Sequence, residues 1–485
     1  MKVPFILVID QSTSGTKALI FDSSGDILCR CDRAHEQKIS SEGWVSHDPM
    51  EIYRNTLAAV ADAVKGSGID PADISGVGIS NQRETALVWG QDGKPLTDAV
   101  VWQCVRGEEI CAGLADHGEE IRSRTGLPLS PYFSAAKIAW ILKHSEGARE
   151  KKLCAGTINS WLVFCLTGNF KTDYSNASRT QLLNLTSLDW DKRVCDLFKI
   201  DPAMLGEICD SNALYGHTDF EGLLPKPVPI RAVMGDSHAA LYGQGCLKKG
   251  MGKATYGTGS SVMVNIGEAP LFCRNVVTSL AWGIDGRVNY VLEGNINYTG
   301  AVIKWLVEDL GLIRSPGEAG PLAAQANPAD TTFLVPAFSG LGAPYWAPHA
   351  RASFCGMTRS THRAELVKAA EESIAFQITD CVKAIQDESG LVLSELRADG
   401  GAARDEFLMH FQSDMLNLPL SVPSQEELSA TGVAYLAGIT LGVYSVDIFS
   451  RLPRRTFIPS MDAEIREKRY RLWQDAVRRV MVPLH

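Results

Sequence analysis

Short unbroken apolar runs alternate along this chain with longer stretches whose apolar residues recur at helical spacing. Residues 5–9 form one such run and predict a buried strand ending at Asp10. Residues 18–21 predict its partner, and residues 74–79 a third strand leading to Ser80 and Asn81. Between them, residues 51–64 read as an amphipathic helix. The alternation continues to about residue 245 and predicts an α/β architecture. Residues 216–229, rich in Gly and Pro, read as a surface loop feeding a strand at 230–234. Regular patterning then lapses over 243–252, which reads as the linker between an N-terminal lobe, 1–245, and a C-terminal lobe, 246–485. The second half restarts with its own strand pair, a helix over 299–310 and a long helix over 364–389. After these, LRADGGAARDEFLMHF reads as strand, glycine turn and helix. The plan is duplicated without an obvious repeat of sequence.

Two of the predicted strand connections carry unusual chemistry. In FILVIDQSTSGTKALIFD, the small residues 12–16 allow backbone N–H groups to point at an anion, and Lys17 adds positive charge. Asp10 at the strand end would repel phosphate unless a divalent cation lay between them, which suggests Mg²⁺. KATYGTGSSVMVNIG repeats the logic with Thr255, Gly257, Thr258 and Gly259. Either loop alone reads as an ordinary hairpin. The pair, with an acid on the first strand, implies a nucleotide held between two halves.

Three further segments add candidate chemistry. Gly400 and Gly401 let backbone approach a ligand ahead of a helix N-terminus, and after two phosphate loops this becomes the natural adenosine site. In RAVMGDSHAALYGQG, Asp236 follows a short strand and opens a small-residue helix. It reads equally as the base or orienting group of phosphoryl transfer and as a helix cap. SNQRET supplies Arg83 and Glu84, suited to vicinal hydroxyls, with Trp102 further on to pack against a carbon skeleton. A surface ion pair and a core tryptophan are the alternative.

Composition narrows the field. With 485 residues the chain exceeds one ordinary core, and 45% hydrophobic with 21% charged residues is typical of a soluble globular protein. Net charge is −9 with no basic run, which argues against a nucleic-acid partner. Twelve cysteines without a C-x-x-C pair or zinc spacing read as reduced thiols of a cytosolic protein. MKVPFILVID has too short an apolar segment for a signal peptide, and no eighteen apolar residues run together, so no membrane span is expected. The N-x-[ST] triplets at Asn176, Asn184 and Asn297 then read as chance matches.

The chain resembles the FGGY carbohydrate kinases over nearly its whole length, and most closely their glycerol-phosphorylating members. The resemblance rests on GWVSHDPMEIY, GISNQRET, VVWQC, TGLPLSPYFSAAKIAWIL, TDYSNASRT, GQGCLKKGM, TYGTG, VPAFSGLGAPYW and DGGAARDEFLMHFQSD. It implies an α/β fold of two ribonuclease H-like lobes of the actin and hexokinase type around a central ATP cleft. It also implies ATP- and Mg²⁺-dependent phosphorylation of a primary hydroxyl. By the same resemblance Asp236 is the catalytic base and, with Asp10, helps hold the metal. Thr13, Ser14, Lys17, Thr258, Gly300, Lys304, Gly401 and Asp405 fall at nucleotide contacts. Arg83, Glu84, Trp102, Tyr132, Asp236, Ser237 and Ser261 fall at substrate contacts.

Several of these positions depart from the pattern. Lys17 stands where glycerol-phosphorylating members usually have Arg, Lys304 where they have Gln, and Asp405 where an adenine-facing Asn is usual; an Asp still accepts from the adenine amine. Ser237 replaces a Gln, and Ser261 a Phe that walls the pocket, forfeiting roughly 1.5–3 kcal/mol of apolar contact. Glycerol leads as acceptor, with a tetritol, pentitol or ketose close behind. A catalytically silent, nucleotide-sensing protein of the same fold is the rival from another class. FEGLLPKPVPI does not match the Arg-bearing loop that binds fructose 1,6-bisphosphate in some bacterial members, and His217 lacks the context of a phosphorylated histidine. Family habit implies a cytoplasmic homodimer or homotetramer.

Overall fold

The computed structural model describes residues 4–145 and 152–482. Its first half is organised on a six-stranded sheet made of β1 (Phe5–Gln11), β2 (Gly15–Phe21), β3 (Ile27–Ala34), β4 (Ile74–Asn81), β5 (Gly216–Thr218) and β6 (Val228–Gly235), in the order β5-β6-β4-β1-β2-β3. β1 runs parallel to β4 and antiparallel to β2. Its apolar run is continuous because both faces are covered: Leu7 and Ile9 face one core, Ile6 and Val8 the other. The loop expected over 216–229 is in fact bracketed by structure. Gly216, His217 and Thr218 pair with Ile230, Pro229 and Val228, too short a strand for alternation to reveal.

The second half carries a seven-stranded sheet of β7 (Gly252–Tyr256), β8 (Ser260–Gly267), β9 (Val277–Ile284), β10 (Arg287–Ile296), β11 (Leu396–Asp399), β12 (Leu420–Pro423) and β13 (Arg454–Phe457), ordered β9-β10-β8-β7-β11-β12-β13. β7 and β8 repeat the hairpin of β1 and β2, and β11 lies parallel to β7 as β4 does to β1. This is the two-lobed plan that the duplicated patterning predicts.

Helices fill the faces. α1 (Pro49–Ser67) packs on β2 and β3, with Asp48 accepting from Met50 N at its start and Gly68 in the left-handed conformation at its end. α2 (Ser134–His144) packs on strand Ala86–Gly90, and the short α3 (Tyr174–Ala177) on β9. α4 (Asp236–Gly243) follows β6, and α5 (Gly300–Glu308) follows β10. α6 (Ala319–Ala323) packs against α7 (Arg363–Ser389), the long helix of the second core, and α8 (Glu406–Leu416) follows the glycine turn. α9 (Leu428–Thr440) lies across β4, β1 and β6, so a helix from the second half seals the first sheet. Close approach makes this possible, because a Cβ on Gly432 would stand 1.9 Å from the Ala239 carbonyl oxygen of α4.

The stretch read as a linker is not a loose tether. Gln244 is buried, donates to Asp399 (2.9 Å) and accepts from Arg454 (2.6 Å). Among the described residues no helix is long and apolar enough to cross a membrane.

Candidate active site

Asp236 begins α4 directly after β6, with Gly235 as the preceding cap residue. Its Oδ1 accepts from Ser237 N at 2.6 Å and lies 3.5 Å from Arg83 Nε, and its side chain is 37% exposed. It is therefore partly open to solvent rather than serving only its own helix. The strand end is fixed from behind: Gly235 N donates to Ser175 Oγ (2.9 Å), which donates to buried Asp173 (2.6 Å). Ser429 of α9 donates to the Asp236 carbonyl at 2.9 Å, tying the second half to the head of α4. Burial pushes the Asp236 carboxyl above its ordinary range against the pull of Arg83, and the charge of Asp10 adds to the rise.

Arg83 and Glu84 follow β4, and they are buried rather than a surface pair. Both Arg83 Nη atoms donate to Glu293 at 2.9 Å. Arg179 donates from Nε to Glu84 at 2.6 Å and places Nη1 2.9 Å from Glu293. Two cations and two carboxylates thus neutralise one another. Burial alone would raise the Glu293 carboxyl, but Arg179 and Arg83 overcome it and hold it well below the usual carboxylate range. Ser261 Oγ joins this lattice through a 2.9 Å bond to Glu293, and Ser237 lies half-buried beside Asp236.

Trp102 and Tyr132 meet edge to face with ring centroids 5.7 Å apart, and the Arg179 guanidinium lies 6.0 Å from the Tyr132 ring. Trp102 Nε1 donates to Thr13 Oγ1 at 2.9 Å, joining the aromatic wall to the first phosphate loop. Tyr132 is held by buried Lys137, whose ammonium donates to the carbonyls of Pro131 (2.8 Å), Tyr132 and Phe133 (3.2 Å).

In the first loop, antiparallel pairing sets Asp10 opposite Lys17 on one face of the hairpin. Lys17 Nζ lies 3.4 Å from Asp10 and 2.7 Å from Glu427 at the start of α9, so two carboxylates already engage it. Burial raises the Asp10 carboxyl, with Lys17 opposing. Ser14 is exposed. In the second loop, the Gly257 and Thr258 carbonyls accept from the N–H groups of Gly300 (2.9 Å) and Ala301 (3.0 Å), clamping α5 to the hairpin.

Thr258, Gly300, Lys304, Gly401 and Asp405 all line one cleft of about 1430 Å³. A second cavity of about 790 Å³ shares Gly401 and Arg404 with it and reaches Lys17. The first hairpin, through Lys17, the second, through Gly257 and Thr258, and the glycine turn at Gly401 therefore border two adjoining cavities. Gly400 adopts φ +94°, where a Cβ would stand 2.4 Å from the Tyr256 carbonyl oxygen. Asp405 caps α8 by accepting from Leu408 N (3.0 Å) and also receives Gly320 N (3.1 Å).

Sequence reasoning assigned no role to Glu293, Arg179 or Glu427. Glu293 was visible as the one charge inside the apolar strand NYVLEGNI, and Arg179 as the cation of TDYSNASRT. Glu427 carries no local signal, because its partners lie about four hundred residues away.

Residues 5–243 match the N-terminal domain of the FGGY family of carbohydrate kinases, and residues 252–441 match its C-terminal domain. The chain is 46% identical over 490 residues to glycerol kinase 1 of Thermotoga maritima, covering 98% of this chain and 99% of the relative. To a glycerol kinase of Stenotrophomonas maltophilia it is 44% identical over 487 residues, covering 98% and 97%. A crystal structure of Plasmodium falciparum glycerol kinase with ADP superposes with TM-score 0.93 at 33% identity, over 99% of both chains. A ligand-bound xylulose kinase from Lactobacillus acidophilus shares the fold, with TM-score 0.89 at 22% identity over 99% of both chains.

Proposed function

The chain belongs to the FGGY family of carbohydrate kinases, phosphotransferases with an alcohol group as acceptor, and on that premise we propose that it transfers the γ-phosphoryl group of ATP to a primary hydroxyl of glycerol, giving glycerol 3-phosphate. The observation that carries this reading is the Asp236 carboxylate, partly exposed at the head of a helix and set 3.5 Å from Arg83, whose guanidinium is fixed by the buried Glu293.

In this reading the acceptor lies against Trp102 and Tyr132. One Glu84 oxygen is taken by Arg179, and the other accepts from a substrate hydroxyl. Asp236 takes the proton of the terminal hydroxyl as its oxygen attacks the γ-phosphorus and the bond to ADP breaks. Thr13, Ser14 and Lys17 face the phosphates from one lobe, Thr258 and Gly300 from the other. Gly401 and Asp405 border the adenosine, and Lys304 lies near the outer rim. Lys17 exchanges a carboxylate partner for phosphate when ATP enters.

Asp10 and Asp236 are suited to hold Mg²⁺. Each carboxyl is raised by burial, and the charge of Asp10 raises Asp236 further, a repulsion that a divalent cation relieves. Among the described residues no three metal-binding side chains cluster, and Mg²⁺ needs only one or two carboxylates beside phosphate and water. When bound it would neutralise charge developing on the transferred group. By family resemblance we place the protein in the cytoplasm as a homodimer or homotetramer.

Ser261 supports a second acceptor reading. Its hydroxyl is turned onto Glu293, leaving a small polar wall that a tetritol, pentitol or ketose could fill. ATP-dependent ADP release across glycerol, erythritol, threitol, pentitols and ketopentoses, compared by kcat/KM, tests both. A glycerol preference supports the first reading, and preference for a longer acceptor replaces it with the second. Absence of ATP-dependent turnover with any acceptor would leave only the catalytically silent, nucleotide-sensing role.

A further inference from the structure

The nucleotide cleft contains a carboxyl that phosphoryl transfer does not use. Glu371 lies midway along α7, 2% exposed, and lines the cleft opposite Asp405 and Gly320. Its Oε2 is buried without a hydrogen-bond partner among the described residues. The nearest cations on its own helix and on α10 (Ala463–Met481) are engaged elsewhere. Lys368 donates to the Asn327 carbonyl at 3.2 Å, and Arg469 pairs with Glu372. A buried carboxylate with no such partner is costly. Burial pushes Glu371 well above the ordinary carboxylate range, and the charge of Asp405 adds to it, which favours the uncharged acid with one O–H to donate. Asp405 is its opposite, an acceptor held in place by Leu408 N and Gly320 N.

We propose that Glu371 is a base-selecting residue: its carboxyl O–H donates to a purine ring nitrogen in the cleft while Asp405 accepts from the exocyclic amine. A donor beside an acceptor complements the adenine edge, which offers N1 as acceptor and the 6-amino group as donor. Guanine reverses both groups and sets its O6 against the Asp405 carboxylate. A site that hydrogen-bonds a group on its ligand rejects the analogue lacking it, because the buried partner is then left unsatisfied.

This inference rests on the reading of the cleft as the ATP site, and the experiment separates the two. KM and kcat are measured for ATP, GTP and 1-deaza-ATP, which lacks only the ring nitrogen assigned to Glu371, in the wild-type protein and in Glu371→Leu and Glu371→Gln. The wild-type KM for 1-deaza-ATP is expected to exceed that for ATP by about tenfold, the worth of one hydrogen bond. Glu371→Leu is expected to raise KM for ATP to that level, keep kcat and the acceptor KM within about twofold, and abolish the difference between the two nucleotides. Glu371→Gln, which keeps a donor, should retain most of the difference. Equal wild-type KM values for ATP and 1-deaza-ATP would overturn the proposal while leaving the ATP site standing. So would a folded Glu371→Leu variant whose ratio is unchanged. Absence of turnover with every nucleotide, together with no ATP binding by calorimetry, would overturn both.

Discussion

Around Asp236, Arg83, Arg179, Glu84 and Glu293 lie buried in mutual contact; around Gly401, the cleft interleaves glycine, alanine and proline with single charged side chains such as Glu371 and Asp405. On the proposed acceptor side the charges orient one another, whereas on the proposed nucleotide side small residues shape a space that Glu371 and Asp405 border singly. A rigid ionic lattice reads the direction of hydroxyl groups, and its parts are not interchangeable. A wall of small residues admits a flat base and tolerates changes at its rim. Substitutions on the two sides should therefore differ in size and in the parameter they move.

The largest effect belongs to Asp236. Asp236→Asn keeps the shape and removes the proton acceptor, so kcat should fall by about 10²–10⁴-fold while ADP binding by calorimetry stays within about twofold. The same group sets an acid limb. Its carboxyl is raised by burial, so the active, unprotonated form is lost as pH falls through a value above the ordinary 3.8. The limb in kcat/KM should thus lie at higher pH than an exposed aspartate would place it. A limb at or below that ordinary value would show that Asp236 is not the base.

Glu293→Gln follows. It leaves two buried arginines facing one carboxylate, and breaking such a pair costs about 3–5 kcal/mol of stability. Urea denaturation should show the loss, and the acceptor KM should rise with it, while the KM for ATP moves little. A loss below about 1 kcal/mol would mean that Arg83 and Arg179 find other partners.

How far the two sides could be read from sequence follows the same division. The cleft assigned to the nucleotide was legible as a place because glycine turns and paired hairpins are local: Gly257, Gly300 and Gly401 line it together. On the acceptor side, Arg83, Glu84 and Asp236 were visible as charges at strand ends, but the lattice was not. Its closing contact runs from Arg83 to Glu293, 210 residues apart, and no periodicity encodes such a distance. The same limit hid α9, whose apolar pattern gives no sign that it covers the first sheet, and the role of Glu427 at its start. The Gly216 to Thr218 edge strand failed for a different reason, since three residues are too few to show alternation.

Within the nucleotide side, the turn itself should matter more than its rim. Gly400→Ala places a Cβ 2.4 Å from the Tyr256 carbonyl oxygen at φ +94°, a conformation that costs an L-residue about 1–3 kcal/mol. The expected result is a several-fold rise in KM for ATP with a lower Tm, and an unchanged KM for the acceptor at saturating ATP. A rise in the acceptor KM as well would mean that the two sides are not separable.

The smallest effect is expected at Lys304. It lines the cleft, yet its side chain is 68% exposed and, among the described residues, pairs only with Glu308 one turn along α5, at 3.5 Å. Exposed helix pairs of this kind contribute about 0.3–0.5 kcal/mol, and a lysine free to swing into solvent adds little to nucleotide binding. Lys304→Ala should accordingly change KM for ATP by less than about twofold at 0.15 M salt and leave kcat and stability within error. A tenfold rise would make Lys304 a fixed charge contact rather than a mobile residue at the rim. The nucleotide cleft would then have to be described, like the acceptor pocket, by where its charges point.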